Sequence, residues 1–171
     1  MAITRQTIVN NLKTLLQTIT VANGYYTALG SNVYLFRAIP MQADELPAVV
    51  IFDKSNEIDS EGMNGSYNIW SHTLKVTLQI VCAGSTVDTT VRKLITDIYK
   101  ALGSDNTLTE TCTLIDAVSD TIEIEQESKL IAGASIELNI KYRTKRFAEA
   151  LAGQYADDIT AESEVYITVE H

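Results

Sequence analysis

Histidine and cysteine are scarce, so the few present are the first candidates for chemistry. The histidines are His72 and His171, and the cysteines are Cys82 and Cys112. A zinc site needs several such ligands at short, fixed spacing, and these four are scattered. His72 stands beside Trp70 at the start of a strand-like run, which suits a surface or interface histidine. Each cysteine sits inside an apolar run, so both read as buried thiols acting as small hydrophobes. A disulfide would need the two runs to be neighbouring strands in an oxidising compartment.

Carboxylates are the other candidates. Glu57, Asp59 and Glu61 alternate in a polar stretch, but the D-x-[DN]-x-[DN]-G spacing of a calcium loop and its distal Glu are absent. A solvated loop is the expectation there. Glu123, Glu125 and Glu127 fall on one side of a strand. Paired carboxylates can cleave glycosides, yet on a wet strand face they are more often solvated charge. No G-x-S-x-G, glycine-rich phosphate cradle or Cys–His pair can be assembled. The chain reads as no enzyme, with no cofactor and no metal, built to present surfaces.

The elements that carry these residues follow from periodicity. Thr4 can cap a first helix, with Ile8, Leu12, Leu15 and Ile19 at helical spacing and Val9 and Leu16 widening the stripe. Asn23-Gly24 closes that region. Residues 33–37 and 48–53 read as strands, the second (AVVIFD) covered on both faces. Residues 54–66 read as an exposed loop. A long strand follows, with Leu74, Val76, Leu78 and Ile80 on one side and Lys75, Thr77 and Gln79 on the other. A second helix starts near Thr86, turns Val87, Val91, Leu94, Ile95, Ile98 and Leu102 inward, and stops at Gly103. Residues 107–117 make a further strand. A hairpin ends the domain: Ile122 and Ile124 alternate with glutamates, and Ile136, Leu138, Ile140 and Tyr142 follow past a break at Ser128–Lys129. The fold expected is α+β: a single mixed, largely antiparallel sheet with two helices on one face, over residues 1–144. Residues 145–171 form a C-terminal extension with a terminal strand. Within it Val165, Ile167 and Val169 alternate with Tyr166 and Thr168, in the manner of an edge that joins another chain.

Composition limits the partners. At 171 residues, with 46% apolar and 20% charged residues, the chain can bury the core of one ordinary domain. No apolar run reaches the about 20 residues that span a bilayer, and the first residues lack the basic-then-apolar order of a secretory signal. A soluble protein made inside the cell is expected. The net charge of −9 disfavours a grip on DNA or RNA, which needs clustered Lys and Arg. Tyr25, Tyr26, Tyr34, Phe36, Tyr67 and Trp70 crowd the first half. Aromatics anchor interfaces, and Tyr67 and Trp70 lie where an interface would best fit.

The segments NGYYTALGSNVYLF, LPAVVIF, CAGSTVDTTV and QESKLIAGASIELNIKYR, in this order after an N-terminal helix, resemble the tail-terminator and neck proteins of tailed bacteriophages. The resemblance covers residues 4–144 and rests on element order and local flavour, not on a catalytic motif. It implies a small α/β subunit of the virion tail or neck, made in the host cytoplasm. Such subunits close into a hexameric ring on the tail tube, stop its growth and offer a face to the head-completion protein. DNA would pass through the lumen without specific binding, and Glu57, Asp59, Glu61, Glu123 and Glu125 are the candidates to line it. Residues 145–171 exceed the compact family pattern. A terminal strand there, with Val165, Tyr166, Ile167 and Val169 as contacts, suits a neighbouring subunit or a tail sheath protein. Another head–tail connector, a tail-tube subunit or a non-viral binding module remain as second readings.

Overall fold

The computed structural model describes residues 3–37, 41–59, 69–126 and 130–145. In chain order these give helix α1 (Arg5–Gln17), strands β1 (Val33–Leu35), β2 (Ala48–Asp59) and β3 (Ile69–Ala83), helix α2 (Val87–Ser104), and strands β4 (Leu114–Gln126) and β5 (Leu130–Lys145). The strands form a single mixed sheet in the order β1-β2-β3-β5-β4. Only β1 and β2 run parallel, and every other pair is antiparallel.

Period-two alternation in the central strands makes the core. Leu74, Val76, Leu78, Ile80 and Cys82 of β3 face the same side as Ala132, Ala134, Ile136, Leu138, Ile140 and Tyr142 of β5, and all are buried. On that side α1 contributes Ile8, Val9, Leu12 and Leu16, and α2 contributes Val91, Leu94, Ile95 and Ile98, in one continuous cluster. Both helices therefore cover one face, as the two inward stripes require. Thr4 does cap α1, its side chain accepting from the Thr7 amide at 3.1 Å.

Five features differ from the sequence reading. β2 runs to Asp59, so residues 54–59 are strand rather than loop; β3 supplies ladder partners down to Ser71. Gly103 lies inside α2, which ends one residue later against Asp105. Residues 107–113 are not strand: the Asp105 carboxylate accepts from the Thr107 and Thr109 amides at 3.1 and 2.7 Å, and Leu108, Thr109 and Glu110 take left-handed backbone. Residues 114–126 then form one strand, interrupted only by a bulge, where two were expected. β1 also stops early, because Phe36 has φ 37° and leaves the extended region. The Lys129 break and the whole of 146–171, with Val165, Tyr166, Ile167 and Val169, lie outside the described residues.

Two local devices tie the loops to this frame. Asp97 of α2 is fully buried, and its carboxylate accepts from the Tyr26 amide (3.0 Å), the Thr27 amide (2.8 Å) and the Thr27 hydroxyl (2.7 Å). A buried charge is tolerable when donors satisfy it in this way. Gly30 donates its amide to Ile19 O at 2.9 Å and packs so closely that a β-carbon would lie 2.3 Å from Gln17 O. Gly30→Ala should therefore shift backbone and lower stability by about 1–3 kcal/mol, the range of overpacked cores. Gly133→Ala, with nothing nearer than 3.8 Å, should not. Urea melts of both variants check this. Leu94→Ala, at a fully buried position, should cost about 2–5 kcal/mol in the same measurement.

Candidate functional site

The face of the sheet opposite the helices is where the remaining polar residues gather. Cross-strand register places Lys75, Thr77 and Gln79 of β3 beside Ser135, Glu137, Asn139, Lys141 and Arg143 of β5. Charges there are matched across strands. Lys75 pairs with Glu57, Lys54 with Glu137 at 3.7 Å, and Lys141 with Asp116 at 3.1 Å. Such exposed pairs contribute little stability each, but they leave this face close to charge balance.

Two bulges shape it. In β2 the register slips between Asp53 and Ser55, and in β4 between Ala117 and Ser119. One extra residue reverses the side to which every later side chain points. In β2 the slip sends Asn56 to the helix side, where Leu74 and His72 stand, and Glu57 to the open side. In β4 it sends Asp120 toward α2. The two bulge residues, Lys54 and Val118, help line a hollow of about 310 Å³ with Lys75, Thr77, Glu137 and Asn139. A second hollow, about 270 Å³, opens over Gly133 between Gln79, Val81, Ser135 and Glu123.

His72 is not a surface residue: it is buried with 6% exposure. Its ring stacks on Tyr142 at 4.6 Å, and the Trp70 ring meets it edge-on at 6.3 Å. Tyr142 donates to Asn56 Oδ1 (3.2 Å), which leaves Asn56 Nδ2 to donate to His72 Nδ1 (3.0 Å). The imidazole proton then sits on Nε2 and is donated to Thr144 Oγ1 at 2.8 Å. The bulge that turns Asn56 inward thus satisfies a polar group in the core, the usual condition for burying one.

The acidic candidates separate. Glu57 is a strand residue held by Lys75, and Asp59 ends β2 opposite Ser71. Glu123 is exposed, and Glu125 stands two positions on, opposite Ile131. Glu61 and Tyr67 lie outside the described residues. Trp70 is half-buried. Of the aromatics that the sequence offers for an interface, the more exposed are others than Trp70: Phe36 is 73% and Tyr26 68% exposed, and Phe36 meets Phe52 edge-on at 5.4 Å. A bulky side chain at positive φ is uncommon, and no residue type in the segment announces it.

Among the described residues no group of three or more His, Cys, Asp or Glu could hold a metal, and no helix is long and apolar enough to cross a membrane. Both cysteines are buried free thiols. Burial, and then the charge of Asp105, pushes the Cys112 thiol up to about 11, so it is a poor nucleophile at neutral pH. No protein-family model matches the chain, and no curated protein matches it.

Tyr99 links α2 to β4 through the bond its hydroxyl donates to Asp120 at 2.8 Å. Burial first, and that bond second, push its phenol from 10.0 up to about 12. A folded pKa above the unfolded one gives stability that is complete below about pH 10 and is lost as pH rises toward 12. Absorbance titration near the phenolate band should show one late-titrating tyrosine, absent in Tyr99→Phe; a chain whose tyrosines all titrate near their ordinary value would contradict this contact.

Proposed function

We propose that this chain is a structural virion protein of the tail-terminator kind. Its copies close into a hexameric ring that caps the tail tube, stops its growth and offers a surface for the head-completion protein. The observation that carries the reading is the division of the sheet. One face is filled by two helices, while the other, with the β4 edge, is left as a balanced, hollowed surface with no closed reaction site among the described residues. The two sheet edges, β1 and β4, lie at opposite ends of one sheet, so contacts between copies would join unlike patches. Unlike patches that close make rings.

The charge-balanced open face suits a wall past which DNA moves. Lys54, Lys75 and Lys141 each already face a carboxylate, which lowers their pull on phosphates, while Arg143 and Lys145 stand beyond them at the end of β5. The C-terminal extension, residues 145–171, would carry the later contact to a neighbouring subunit or a tail sheath protein. Another connector of the same machine, or a tail-tube subunit, is the second reading, and self-association separates them. Light scattering and electron microscopy of the purified chain, alone and with tail tubes, should show monomers or single rings that seat on tube ends. Open-ended tubes formed by the chain alone would make it a tube subunit. A chain that neither forms rings nor attaches to tubes would sink the proposal.

A further inference from the structure

β4 is an edge strand over its whole length. It pairs with β5 on one side, and among the described residues only the bond from Ile115 N to Asn106 O reaches its other side. Every residue from 117 to 123 is exposed. A row of free amides and carbonyls beside a finished sheet is a template for a further strand. Proteins usually blunt such an edge with charged side chains, above all lysine, with proline, with bulges or with brevity. This one, LIDAVSDTIEIEQ, is 13 residues long and has neither lysine nor proline; the bulge at Val118 is its one interruption.

The charges of the strand are all of one sign: Asp116, Asp120, Glu123 and Glu125. Asp116 is answered by Lys141 and Asp120 by the Tyr99 hydroxyl. Glu123 lies opposite Gly133, which offers no side chain, and it forms no ion pair among the described residues. Nothing inside the fold asks for that glycine. Its ladder partners are regular, its backbone is not left-handed, and a β-carbon would meet nothing within 3.8 Å. A glycine inside a strand weakens it and often marks the close approach of something from outside. The hollow of about 270 Å³ lies over it, with Glu123 on its rim.

We propose that the outer edge of β4 receives an extended segment of a partner protein that carries lysine or arginine at alternate residues, as the sixth strand of this sheet. Main-chain bonds supply the attachment, and a cation on the open side of the added strand meets Glu123. Charge complementarity selects this occupant over the chain's own C-terminal segment, in which Glu162, Glu164 and Glu170 have the wrong sign. The assignment does not depend on ring closure, and it moves Glu123 from the lumen wall to a docking edge.

The test uses the full chain and two synthetic strands of about nine residues, KVTVKVTVK and EVTVEVTVE, with hydrogen exchange and NMR titration as readouts. The basic peptide should bind, protect amides in 117–123, and weaken as salt rises. Glu123→Lys, with an unchanged melt showing that it folds, should weaken the basic peptide roughly tenfold and admit the acidic one. Absence of binding, equal binding of the two peptides, or protection confined to another strand would overturn the proposal. Rings seen by microscopy alongside any of these results would leave the assembly reading intact and remove only this edge.

Discussion

The long antiparallel ladder between β3 and β5 is the constraint on which the rest of the molecule depends. It runs without a slip from Ile69 opposite Lys145 to Ala83 opposite Ile131. Unbroken register keeps two apolar rows, Leu74 to Cys82 and Ala132 to Tyr142, on one side for the full length of both strands. Those rows are what α1 and α2 cover. Removing any one row member costs a cavity, but slipping the register by one residue would turn both rows to water at once. The helices, the outer strands and the open face all take their positions from this pair.

The flanking strands do not keep the same discipline, and their lapses do useful things. β2 and β4 each spend one residue on a bulge, at neighbouring levels on either side of the central ladder. Before the bulges, Val49, Ile51, Ile115 and Ala117 point to the helices; after them, Asn56, Ile58, Asp120 and Ile122 do. The inserted residue thus turns Ile58 and Ile122 to the helix side, together with Asn56 and Asp120, and leaves Glu57, Thr121 and Glu123 on the open side. Asn56 meets His72 and Tyr142 there, and Asp120 meets Tyr99. No buried side-chain nitrogen or oxygen among the described residues lacks a partner, which is the condition under which such a polar end is stable.

Much of this architecture was legible in the sequence. Helical spacing in α1 and α2, the Thr4 cap and the alternation of β3 and β5 fix the two-layer α+β arrangement directly. The bulges were legible only as a change of phase. Ile115 is odd-numbered and Ile122 and Ile124 are even, and that slip reads as a gap between two strands unless a bulge is considered. Polarity misled in the same way at 54–59, where KSNEID looks like a loop. A strand at this place is polar because one face is wet and Asn56 finds its hydrogen bonds in tertiary contacts. His72 reads in the sequence as a surface or interface residue for the same reason: the partners that allow its burial are distant in sequence. Buried Asp97 has no local signal at all, since the amides it binds lie some 70 residues away.

The site was less legible than the fold, and the reason is electrostatic. A net charge of −9 suggests an acidic surface everywhere, whereas the open face is balanced by cross-strand lysines. The excess is placed instead by pairing geometry. On this face Glu57, Asp116 and Glu137 are each answered by a lysine. Opposite Gly133, Glu123 has no ion-pair partner among the described residues. Composition counts charges, but only register says which of them are spent within the fold. The carboxylate left over is at the one long edge of the sheet, and that coincidence of free charge and free main chain is what distinguishes β4 from an ordinary solvated strand.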